Sequence, residues 1–179
     1  SNVSINPRLV FEDREALNGT AIMKEVVLEV CRDDDSLELN LLVFLPVDRE
    51  GPVPLFVGLN FYGNQSIHPD PKITLTESWV SNNKDFGIIE NRATTASRGV
   101  RASRWPVELI LSRGYGLATM YYGDIDPDFD DGFKNGIHEL MDIKEPGRDS
   151  ASWGSISAWA WGLSRAMDYF EREVEIDQK

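Results

Sequence analysis

The chain has 179 residues, with 18 Lys plus Arg against 30 Asp plus Glu and a formal net charge of −12. Its 41% hydrophobic and 27% charged residues suit one globular domain and lie far from a disordered composition. That charge, with no basic stripe to neutralise phosphates, argues against nucleic acid and disfavours an anionic membrane surface.

Glu25 to Cys31 and Leu37 to Leu45 are apolar runs around the polar stretch Arg32 to Ser36, which predicts an antiparallel hairpin closed by Pro46. Val53 to Phe61 is nearly continuous apolar sequence, expected as a strand buried on both faces. It runs into the turn Tyr62 to Ser66. Ile67 to Arg101 reads as a long irregular loop. Arg104 to Arg113 predicts a helix with Pro106 in its first turn and Gly114 as its stop. Tyr115 to Tyr122 reads as the next buried strand, and Gly123 to Ser152 as an acidic loop. Trp153 to Glu173 predicts a helix capped by Ser152, with Ile156, Trp159, Ala160, Leu163, Met167 and Phe170 on its core face. Val174 to Lys179 reads as the approach to a further strand. A hairpin followed by β-α-β-α implies an α/β fold with a mostly parallel sheet.

Cys31 is the single cysteine, so no intrachain disulfide and no Cys-based zinc site can form. No apolar run reaches the roughly 18 residues of a membrane span. Neither a signal peptide nor an initiator Met is visible; Ser1-Asn2 reads as an expression scar or the start of a mature or cut product. Asn2, Asn18 and Asn64 match the short N-glycosylation pattern.

The sequence offers few sites for chemistry. A serine-hydrolase elbow needs G-x-S-x-G between a strand and a helix, and the nearest match, Gly162 to Ala166 around Ser164, lies inside the last predicted helix. Ser155 and Ser157 read as cap or packing serines. His68 and His138 fall in predicted loops and read as bracing side chains. The run Asp124, Asp126, Asp128, Asp130, Asp131 resembles a calcium loop but has Asp131 where an EF-hand needs Gly and Ile137 where it needs Glu. Turn-bracing aspartates are the favoured reading, with a non-EF metal site at Asp124, Asp126, Asp128 and Asp130 as the alternative. Asn60, Phe61, Tyr62 and Gly63 leave the carboxyl end of a predicted strand, where open α/β sheets bind ligands. They are the candidate oxyanion or substrate-side turn, with a plain tight turn as the competing reading. Trp159 is expected in the core and Trp161 near the polar side.

Four segments together carry a resemblance: P-L-F-V-G-L-N-F-Y-G-N (Pro54 to Asn64), R-G-V-R-A-S-R-W-P-V-E (Arg98 to Glu108), R-G-Y-G-L-A-T-M-Y-Y-G-D-I-D-P-D-F-D-D-G-F (Arg113 to Phe133) and A-S-W-G-S-I-S-A-W-A-W-G-L-S-R-A-M-D-Y (Ala151 to Tyr169). The chain resembles the glucuronoyl esterase family, the 4-O-methyl-glucuronoyl methylesterases of carbohydrate esterase family 15. The resemblance implies the N-terminal part of an α/β-hydrolase, one domain portion over 1–179 that stops before the nucleophile elbow. It implies a cofactor-independent serine esterase acting on glucuronate esters of xylan, secreted or periplasmic. The family's G-x-S-R-x-G-K elbow, catalytic His and acid have no matching positions here, so no catalytic residue is assigned and the triad is expected downstream of Lys179. The family strand order, 1-2-4-3-5, makes Val53 to Phe61 an unpaired edge, to be covered by the remaining half of the hydrolase domain or a second copy. The alternatives are an acetyl-xylan or other carbohydrate esterase, and a non-catalytic module binding carbohydrate or calcium.

Overall fold

In the computed structural model, residues 3–142 and 147–178 are described. The centre of the fold is a hairpin of β2 (Ala21–Arg32) and β3 (Asp35–Pro46), closed by Asp33 and Asp34 with Asp33 at φ 55°. A two-residue turn needs such positive φ to match the strand twist, and Asp tolerates it. Both strands carry apolar side chains on both faces, so both faces must be covered.

β7 (Gly116–Tyr121) lies antiparallel to β3, and β4 (Leu55–Asn60) lies parallel to β7. The five-stranded order is β1-β2-β3-β7-β4. The predicted hairpin and the crossing of the two later strands are thus both present, but the sheet is not the mostly parallel one expected: three of its four pairings are antiparallel, because β1 and the hairpin make up most of it. β1 (Val3–Glu15), antiparallel to β2, was not anticipated. It is a mostly exposed edge strand containing Pro7, so no buried face announces it in the sequence. A short turn, α1 (Ala16–Gly19), joins it to β2.

On one face Leu28, Leu41, Val43 and Met120 pack against α4 (Gly136–Met141) and α5 (Ser155–Phe170). On the other, Met23, Leu42, Phe44 and Leu117 meet α2 (Val107–Ser112), Ile67 and Ile73. β7 is buried along its whole length.

Several boundaries differ from expectation. The first predicted helix shortens to α2, because residues 102–104 form a separate 3-10 turn ahead of Pro106. β4 is half-buried rather than buried on both faces, with Phe56 54% exposed, because it is the outermost strand. The long 67–101 segment is built from 3-10 turns and a two-residue pair, β5 (Ile88–Ile89) and β6 (Arg92–Ala93). The acidic loop holds two helices, α3 (Tyr122–Ile125) and α4; its residues 143–146 lie outside the described residues, as does the Asn2 glycosylation pattern. Ser152 does not cap α5: Gly154 holds that position, and the Ser152 hydroxyl donates to Asp149. The buried stripe of α5 is Ala158, Gly162, Ala166 and Phe170, whereas Ile156 and Met167 face outward. Trp159 and Trp161 are both half-buried, with the Arg165 guanidinium over the Trp161 ring.

After α5 the chain returns to β4. Ile176 pairs in parallel with Val53, whose N–H donates to Glu175 O at 3.0 Å while its carbonyl accepts from Asp177 N at 2.9 Å. The Glu175 carboxylate accepts from Lys24 and Arg49. Burial pushes the Glu175 carboxyl up, but those two cations outweigh it and hold it below the usual range. Its stabilising contribution is therefore present above pH 4.5 and lost as pH falls through the lowered value. Glu175→Gln should cost about 1–3 kcal/mol at pH 7, as expected for hydrogen bonds to charged groups. Denaturant titrations at pH 7 and pH 3 should show the difference from the native chain shrinking in acid.

Candidate active-site edge

The parallel pair β4 and β7 points its carboxyl ends toward the segments that follow Asn60 and Tyr121. This edge of an open α/β sheet is where ligands are bound. Its polar groups form one connected set. Asn60, 1% exposed, donates through Nδ2 to Asn64 Oδ1 at 2.7 Å and to Thr119 Oγ1 at 3.1 Å. Asn64 donates to the Asn40 carbonyl, and Asn40 donates through both its backbone N–H and Nδ2 to Asp124 Oδ2. Ser78 Oγ donates to Asp124 Oδ1 at 2.6 Å. Asn60 Oδ1 is buried without a hydrogen-bond partner.

Asp124 lies in α3, the buried turn that follows β7, and is 5% exposed, so its carboxylate is enclosed. Burial pushes its carboxyl above the ordinary carboxylate range, against the hydrogen bonds from Ser78 and Asn40. Beside it lies a cavity of about 410 Å3 whose lining includes Glu25, Glu38, Asn40, Thr74, Ser78 and Asp124. Glu25 accepts from Thr74 N and Thr74 Oγ1, so the 74–78 segment is tied at one end to β2 and at the other, through Ser78, to Asp124 of α3.

The predicted turn residues have separate fates. Asn60 is interior. Phe61 is 58% exposed and meets the Tyr122 ring edge-on at 5.0 Å. Tyr62 packs edge-on against Phe86, and its carbonyl accepts from Gln65 Nε2. Gly63 is buried at φ 91°, and a Cβ there would collide with the Gln65 amide and approach Thr76 Cγ2 to 2.6 Å.

His68 accepts from Asp70 N through Nδ1, which leaves Nε2–H to donate to Glu108 at 3.0 Å. His138 lies in α4 rather than a loop, wholly buried between the Phe133 and Trp153 rings. Its Nδ1 accepts from Arg148, and its Nε2, 3.7 Å from Asp126 Oδ2, has no hydrogen-bond partner. Neither histidine has a serine hydroxyl as a partner among the described residues. Ser164 sits on α5 and accepts from Arg165, while Ser155 and Ser157 lie in the first turn of that helix.

The aspartates diverge. Asp124 binds Asn40 and Ser78, Asp126 faces His138, and Asp128 accepts from the Tyr122 hydroxyl. Asp130 accepts from Gly132 N, and Asp131 from Lys134 N and Asn135. No group of three or more His, Cys, Asp or Glu able to hold a metal occurs among the described residues. Sequence reasoning missed Asn40 and Ser78. Asn40 had a signal, a lone carboxamide inside the apolar run L-E-L-N-L-L.

No protein-family model matches the chain. It is 49% identical over 175 residues to the carbohydrate esterase MZ0003 of an unknown prokaryotic organism, covering 96% of this chain and 40% of that protein. A solved structure of a promiscuous esterase of carbohydrate esterase family 15, from a marine bacterial metagenome, aligns at TM-score 0.84 and 45% identity. That match covers all of this chain and 44% of the other. The glucuronoyl esterase of Solibacter usitatus aligns at TM-score 0.86 and 38% identity, covering 97% of this chain and 43% of that one. Along its whole length the chain is similar in sequence and fold to these carbohydrate esterases, one of them a solved member of carbohydrate esterase family 15. It spans about 40–44% of the length of these relatives. The architecture is accordingly that of an α/β-hydrolase, and the strand crossing of β4 and β7 belongs to it.

Gly63→Ala should lower stability by about 1–3 kcal/mol, through positive φ and the collision together. Gly114→Ala, also at positive φ (80°) but with nothing within 4 Å, is the control and should cost less. Urea unfolding of both variants measures the difference.

Proposed function

We propose that this chain is a scaffold portion of a serine carboxylic-ester hydrolase of the glucuronoyl esterase type. The whole protein would cleave esters of 4-O-methyl-glucuronic acid in cell-wall xylan. Its nucleophile, catalytic His and acid would be supplied by sequence outside these residues, and the chain alone would be inactive. The observation that carries the reading is the family match along the entire chain combined with the fates of its own serines and histidines. No described serine stands on a strand-to-helix elbow, and no described histidine reaches one.

Within that reading, the Asn60 to Gly63 turn is the substrate side of the scaffold. In α/β-hydrolases the loop after this strand lends an N–H to the oxyanion hole. The tight packing of Gly63 and the buried Asn60–Asn64 pair fix that turn before any substrate arrives. The chemistry needs no cofactor. A polymeric substrate outside the cell fits secretion or a periplasmic location. No described helix is long and apolar enough to cross a membrane. One relative is described as promiscuous, which favours a scope wider than glucuronate esters and keeps other carbohydrate esters as the second reading.

The outer edge of β4 supports the partner assignment. Ile176 already occupies one position of a parallel neighbour beside Val53, and β4 is otherwise open. The remaining half of the hydrolase domain would extend that pairing, with a second copy as the other candidate.

Intact-mass analysis after a serine-reactive fluorophosphonate tests the assignment. The folded 179-residue chain should take no adduct, whereas a protein extended to the length of its relatives should take one. A stoichiometric adduct on the chain itself would place the nucleophile inside it, with Ser164 and Ser155 the first to check.

A further inference from the structure

Residues 99–101 lie against the turn that follows β4. Gly99 N donates to the Gln65 carbonyl at 2.9 Å and Arg101 N to the Ser66 carbonyl at 2.8 Å. Gly99 permits this approach: it stands at φ 66°, and a Cβ there would come within 2.9 Å of Pro69 N. The result sets the Arg101 guanidinium over two rings, 5.7 Å from the Tyr62 centroid and 5.3 Å from that of Phe86. Tyr62 and Phe86 meet edge-on at 5.0 Å, so the three groups form one stack beside the carboxyl end of β4.

Stacking engages the faces of a guanidinium and leaves its N–H edge, a planar fork that matches a carboxylate. In a chain with 30 acidic residues, no carboxylate of a described residue pairs with this arginine. The cation is therefore oriented, permanently charged and unneutralised, next to the turn where the proposed reaction takes place.

We propose that Arg101 is an anion-recognition residue that takes the carboxyl group of a bound hexuronic acid unit. This rests on the esterase reading for the identity of the ligand, but not for the fork itself. The free acid, with two equivalent oxygens, binds it more tightly than the ester does.

The test is an NMR titration of the 179-residue chain with glucuronate, its methyl ester and glucose, following the Arg101 Nε–Hε signal. Glucuronate should shift that signal, the ester less, and glucose not at all, with binding weakening as salt rises. Arg101→Gln should bind glucuronate at least fivefold more weakly, and Arg101→Lys, which keeps the charge but not the fork, should fall between. If a variant does not fold, the response of the native Arg101 signal itself decides. An unmoved signal, equal shifts with glucose, or Arg101→Gln binding like the native chain would overturn the proposal. Glucuronate binding through Arg101, with no ester hydrolysis by the extended protein, would sink the esterase reading and leave this inference standing.

Discussion

The carboxyl edge of this sheet depends on one enclosed carboxylate. Asp124, on α3 just beyond β7, accepts hydrogen bonds from β3, through Asn40, and from the 74–78 segment, through Ser78. Removing a carboxylate from water is costly unless its oxygens are satisfied. Three donors converge here, yet burial still dominates its titration. The same interaction walls the adjoining cavity and, through Asn40 and Asn64, reaches Asn60 at the end of β4. β3, the 74–78 segment and, through Asn64, the end of β4 are thus joined in one hydrogen-bonded set.

The opposite end of the sheet is held differently. There Glu175 gathers Lys24 and Arg49 and seats Ile176 beside Val53. These ion pairs fix where the chain emerges from α5 rather than anything near the candidate site. Between the two ends β4 keeps a half-buried profile, and α5 turns Ile156 and Met167 outward. The reason is steric. Gly162 on α5 lies so close to Ile125 that a Cβ would come within 2.8 Å of Ile125 Cγ1, so the smallest residues of α5 face inward.

That geometry shows how far the sequence could be read. The β2–β3 hairpin was legible because two apolar runs flank a polar turn, and the order of β4 and β7 followed from the family motifs. The face of α5 was not, because hydrophobicity points to Ile156 and Met167 while close packing selects Ala158, Gly162 and Ala166. β1 escaped notice because an exposed edge strand needs no apolar alternation. His138 read as a loop residue because the helical turn around it is short and set in acidic sequence. Within the candidate site, Asn60 and Gly63 could be placed by position after a strand. Asp124 was visible only as one of several aspartates, since nothing local separates an enclosed carboxylate from turn-bracing ones. Arg101 depends on rings from two distant segments, which no spacing reveals.

Native-state hydrogen exchange on Asp124→Ala tests this arrangement most directly. An alanine at 124 offers the Asn40 and Ser78 donors no acceptor, which breaks all three ties. The amides of Thr74 to Ser78 and of Asn40 should then exchange faster, while those of Leu28 and Leu42 in the hairpin core keep their protection. Unchanged exchange at residues 74–78, or equal loss of protection across the whole sheet, would contradict the role given to Asp124.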